Sequence, residues 1–120
     1  MGNDVPLNVC VYVTADEGGP NYKIKASTGH DPDFKVSDGN GHFIIFDVYW
    51  NDQIGTTGQK KMTAGDETSI GTQSGADTTQ SDCGGTMNGN IEIEFTESRL
   101  RAAVAGTYSG TLTFTLMPYP

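Results

Sequence analysis

The sequence predicts an all-β fold, a sandwich of about six or seven short strands, with a closed barrel as the alternative architecture. Three observations lead there. Short runs alternate large apolar residues with polar ones, the period-two signature of a pleated strand covered on one face. Asn-Gly and Asp-Gly pairs, which tolerate the positive φ values of tight hairpin turns, punctuate those runs at 38–41 and 88–89. Helical periodicity is confined to one segment near the C-terminus.

In order along the chain, LNVCVYV (7–13) sets Leu7, Val9, Val11 and Val13 against Cys10 and Tyr12. Residues 1–6 read as a linker ahead of the domain, which would occupy the rest of the 120 residues. After the Gly-Gly-Pro punctuation at 18–20, YKIKA (22–26) alternates Tyr22, Ile24 and Ala26 with two lysines. DFKVSDGNGHFIIFDVYW (33–50) reads as a hairpin. Its second arm is apolar on both sides: Ile44, Phe46, Val48 and Trp50 on one, Phe43, Ile45 and Tyr49 with Asp47 on the other. Such a strand is central and covered on both faces, or meets a partner with its outer face. Residues 51–82 are rich in Gly, Thr, Ser, Asp and Gln and read as long loops with weak strands near 61–63 and 68–72. NIEIEF (90–95) turns Ile91, Ile93 and Phe95 inward and Glu92 and Glu94 outward. ESRLRAAVAG (97–106) reads as a turn or brief helix ending at Gly106. The last strand, in AGTYSGTLTFTL (105–116), places Tyr108, Leu112, Phe114 and Leu116 on one face and hydroxyl side chains on the other.

The length suits one domain with a real core. A formal charge of −8 and a pI near 4.4 argue against nucleic acid, which needs a basic surface. No stretch approaches the apolar length of a membrane-spanning helix, and no basic-then-apolar leader opens the sequence. A native signal peptide is expected to have been removed. Cys10 and Cys83 lack the neighbours of a metal site. They read as one disulfide in a lysine-poor β-chain from an oxidising compartment, the alternative being two buried thiols.

Catalytic constellations are thin, and no enzyme activity, cofactor or metal is expected. His30 and His42 flank an acidic turn and read as solvated turn residues, and no nucleophile elbow or phosphate-binding glycine motif is present. Tyr49, Trp50, Asn51 and Asp52 read as a sugar-stacking platform with polar fingers, or, for Trp50, as core in phase with Val48. The first of those readings would make the chain a secreted carbohydrate-binding sandwich using the 51–82 loops.

LNVCVY with YKIKA, FKVSDGNGHFIIFDVYWND and above all AGTYSGTLTFTL together resemble the pilin domains of archaic and alternative bacterial chaperone–usher fimbriae, including spore-coat-U-like pilins and tip-adhesin pilin domains. The resemblance covers most of the chain and is patchy over 51–82. It implies an immunoglobulin-like sandwich that lacks its closing strand. It also implies a structural or tip subunit assembled by donor-strand complementation, supporting adhesion and biofilm in an extracellular fimbrium reached through the periplasm. The implied partners are a periplasmic chaperone and neighbouring subunits, with a host glycan or abiotic surface as the target of adhesion and a strand-exchanged homo-oligomer as one route to solubility. The implied docking edge is Leu112, Phe114, Leu116 and Tyr108, with Gly106 and Tyr119 resembling the chaperone-recognition pattern of other pilins.

Overall fold

The computed structural model describes residues 3–119. Along the chain these form β1 (Asn3–Val9), β2 (Tyr22–Ser27), β3 (Phe34–Ser37), β4 (Phe43–Asn51), β5 (Lys60–Lys61), β6 (Gly89–Phe95), the helix α1 (Glu97–Ala102) and β7 (Thr113–Pro118). One sheet runs β1-β6-β4-β3 with β5 also paired to β4, and the second consists of β2 and β7. All these pairings are antiparallel. The order β1-β6-β4 opposite β2-β7 reproduces, in chain sequence as well as in space, the B-E-D and C-F pairings of an immunoglobulin-type sandwich. Among the described residues no strand occupies the A position beside β1 or the G position beside β7.

The core lies between the sheets. Tyr22, Ile24 and Ala26 of β2 face Phe46, Val48 and Trp50 of β4, and all six are buried. The alternation in these segments selects the face, since a slip of one residue would turn the whole set to solvent. Trp50 sits over the backbone of β6 so closely that a Cβ at Gly89 would lie 2.6 Å from its Cη2 atom. Only glycine fits there.

The 51–82 segment does more than its composition predicts. Met62, Ala64, Ile70 and Ala76 are buried in the core. The segment is stitched to both sheets: the Met62 amide donates to Val48 O at 2.8 Å, the Gly65 amide to Ala26 O at 2.8 Å, and Tyr22 and Gln73 exchange backbone bonds of 3.0 and 2.7 Å. Isolated apolar residues in a polar stretch are hard to recognise as core because no period links them. Of the weak strands expected there, the first is Lys60–Lys61, and residues 68–72 form no strand.

Other boundaries also move. Residues 3–6, expected as linker, belong to β1, paired with Glu92 to Phe95, whereas residues 1 and 2 lie outside the described residues. The α1 helix is capped by the Thr96 hydroxyl, which accepts from the Arg99 amide, and ends at Ala102 instead of Gly106. The last strand begins at Thr113. Upstream of it, Ser109 exchanges two 2.9 Å backbone bonds with Ser37, which draws residues 108–110 toward β3 and away from β7.

Candidate functional site

Each sheet grades from dry to wet in the same direction. Across the larger sheet, register aligns Trp50, Ile91 and Leu7 in one row and Val48, Ile93 and Val5 in the next. Trp50 and Val48 are 1% and 0% exposed, Ile91 and Ile93 are half-buried, and Leu7 and Val5 are 59% and 55% exposed. In the second sheet, Ile24 and Ala26 are buried, while their partners Leu116 and Phe114 on β7 are half-buried. The result is an apolar groove of about 370 Å³, with Val9, Val11 and Ile91 on one wall, Phe114 and Leu116 on the other, and Ile24 and Trp50 beneath. Six apolar side chains that alternate correctly for a core therefore remain only partly covered or bare on one side of the sandwich.

The backbone edges that flank this groove differ in kind. β1 carries Asp4 and Pro6, the charge and proline that natural sheets use to blunt an edge against pairing. Prolines inside sheets sit on edge strands with the side that lacks an N–H turned outward. β7 carries neither device between Thr113 and Met117. Its inner edge pairs with β2, and among the described residues nothing pairs with its outer edge. A strand lying along β7 would find both hydrogen-bonding groups and apolar pockets for alternate side chains.

Of the residues expected at this edge, Leu112, Phe114 and Leu116 are brought together against the core. Tyr108 is not. It lies before the strand, its hydroxyl donating to Val104 O at 2.6 Å. Gly106 lies near Asp38, and Tyr119 is exposed, with the Lys23 ammonium 4.7 Å over its ring. Sequence reasoning missed Val5, and it placed Leu7 on a strand without assigning it to this groove. The alternation of Val5 with Asp4 and Pro6 continues that of 7–13, and it was legible had residues 1–6 not been set aside as a linker.

The Cys10–Cys83 disulfide is formed, with a Cα separation of 5.9 Å. It ties the end of the β1 wall to the 83–88 turn. There the Asn88 carboxamide grips the Val11 backbone, accepting from its N–H at 2.8 Å and donating to its C=O at 3.0 Å.

The sugar platform is corrected by burial. At 1% exposure the Trp50 ring offers no stacking face. Asn51 is also buried, holding the 55–57 turn by donating to Gly55 O and Thr57 O. Tyr49 lies on the opposite face of β4, where its hydroxyl reaches Glu94. Asp52 serves a buried polar chain: Trp50 Nε1 donates to the Tyr22 hydroxyl at 3.2 Å, which donates to Asp52 Oδ1 at 2.5 Å. The other carboxylate oxygen accepts the Ser74 amide at 3.0 Å. Burial, with the Asp52 carboxylate second, pushes the Tyr22 hydroxyl far above its ordinary range, so it stays a donor. Tyr22→Phe removes one bond at each end of this chain and is expected to cost about 2 kcal/mol, read as a lower guanidinium midpoint with an unchanged slope.

At the hairpin turn the Asn40 amide, then the His42 ring at 2.7 Å, hold the Asp38 carboxyl below its usual range. His30 stacks edge-on against Phe43. The two histidines and the nearby aspartates thus serve the turn and its flank. Among the described residues no cluster of three potential metal ligands occurs, and no helix is long and apolar enough to cross a membrane.

No family model and no curated protein matches the sequence. A search of solved structures finds a chain from a chaperone–tip adhesin complex of CFA/I fimbriae, aligned over 98% of this chain with a TM-score of 0.58 and 16% identity. What the two share is the fold. This chain spans 34% of the length of that one. The groove and the bare β7 edge are features of this chain, and their meaning rests on its own residues.

Proposed function

We propose that this chain is a pilin domain of a bacterial surface fimbria, completed by a β-strand from another polypeptide laid along β7. The observation that carries the reading is the coincidence of two gradients on one groove: core-phase apolar residues grow wetter toward the side where β7 has no neighbour. A strand in the G position would pair with Thr113 to Met117 and cover Phe114, Leu116 and the Ile91–Ile93 flank. Likeness in fold to a chaperone–tip adhesin complex supports the same reading. The partners are then a periplasmic chaperone and adjoining subunits, the location is an extracellular fibre, and the contribution to adhesion and biofilm is mechanical. No catalysis and no cofactor is needed for that role.

Amide hydrogen exchange tests it. A synthetic peptide alternating isoleucine or valine with threonine is expected to slow exchange at the outward amides of Thr113–Met117 and to leave those of Asp4–Asn8 unchanged. Protection confined to β1, or none at a peptide concentration that saturates the groove by fluorescence, would sink the strand-acceptor role.

A further inference from the structure

Two Asn-Gly pairs share the chemistry of spontaneous deamidation but sit in opposite surroundings. At Asn40-Gly41 the residue is at the exposed tip of the β3–β4 hairpin. Its backbone N–H donates to Asp38 Oδ1, and among the described residues its carboxamide makes no hydrogen bond. Neither does the Gly41 amide, and the space where a Gly41 Cβ would lie is empty to beyond 4 Å. The nucleophile, the electrophile and the room for a ring are all free.

At Asn88-Gly89 the carboxamide is tied down and the room for a ring is filled. The carboxamide makes three hydrogen bonds, accepting from Val11 N and donating to Val11 O and Gly75 O. Gly89 is buried inside β6, paired with Val9 and pressed against the Trp50 ring. Cyclisation there has to wait for local opening of the strand end.

We infer that Asn40 is a site of covalent self-modification in the folded protein and that Asn88 is protected from the same reaction. After loss of its proton to solvent base, the Gly41 nitrogen attacks Asn40 Cγ. The side-chain nitrogen leaves as ammonia, and a five-membered imide closes. Water then opens either imide bond, giving aspartate or its isomer with the chain routed through the former side-chain carbon. Water is the only co-reactant, and no electrons are transferred. The product adds a negative charge to a turn that already holds Asp38 against His42, and the isomeric form lengthens the turn backbone by one carbon.

The test is incubation of the intact folded protein in mildly alkaline buffer, followed by peptide mass spectrometry and an assay for isoaspartate. Conversion at residue 40 is expected to outpace residue 88 by at least about tenfold in the folded protein. The two rates should converge when the protein is unfolded in guanidinium with its disulfide reduced, and Asn40→Gln should abolish the faster signal. Folded-state conversion at residue 88 equal to or faster than that at residue 40 overturns the inference. So does an intact Asn40 after the time in which the unfolded chain has converted it fully.

Discussion

Fusing a complementary strand to the C-terminus, through a flexible linker that lets it fold back along β7, is expected to stabilise this protein by roughly 2–3 kcal/mol. The sign follows from the groove. Val5 and Leu7 are more than half exposed and Phe114 and Leu116 half-covered, yet all four lie in core phase. If the added strand removes on the order of 500 Å² of apolar surface from water, about 25 cal/mol per Å² gives on the order of 12 kcal/mol. Ordering about seven residues, at roughly 1.5 kcal/mol each for backbone and side chain, offsets about 10 of that. The measurement is a pair of guanidinium melts on fusions that differ only in the inward residues, apolar in one and serine in the other. Only the apolar fusion should gain, and Leu116→Asp should cancel its gain. Equal midpoints for the two fusions would show that the groove recognises no side chains.

Loss of the disulfide carries the second large effect. Cys10 and Cys83 are 73 residues apart, so the bond closes most of the chain, including β2 to β5, into one loop. In the chain-entropy description a loop of that size stabilises by about 4 kcal/mol, through restriction of the unfolded ensemble. Cys10→Ala with Cys83→Ala should therefore lower the unfolding free energy by about that amount, with reduction of the native protein giving a similar shift. There is a structural consequence too. Cys10 and its neighbours form one wall of the groove, and the bond anchors that wall to the 83–88 turn. The double variant is expected to bind the alternating peptide more weakly than the native chain does. A stability change below about 1 kcal/mol would mean that the hydrogen bonds from Asn88 alone define the unfolded-to-folded difference at this wall.

Much of this architecture was legible because strand and turn chemistry is local. The alternation in 22–26, 43–50 and 90–95 marks the buried faces, and Asp38-Gly39-Asn40-Gly41 marks the hairpin, with Gly39 and Gly41 at φ of 82° and 86°. The 51–82 segment was not legible in the same way. Its buried Met62, Ala64, Ile70 and Ala76 are placed by long-range backbone bonds to Val48, Ala26 and Tyr22, which leave no periodic trace. The same limit explains Tyr108. Its phase with Leu112 and Phe114 was real, but the Ser37–Ser109 bridge ends the register before it. Trp50 shows the converse case: an aromatic beside Asn and Asp resembles a ligand platform in one dimension, and only the depth of the β4 row reveals it as core. Pairing across the sheets exposed the groove, since Leu7 and Trp50 are 43 positions apart in the chain and share a row only through Ile91.

Asp4 and Pro6 make the molecule lopsided. With that margin blunted against backbone zippering, the two borders of the groove are unequal, and a strand added as proposed would find its clean side only along β7. Under that reading the proline that weakens one border also sets the direction from which the groove can be filled.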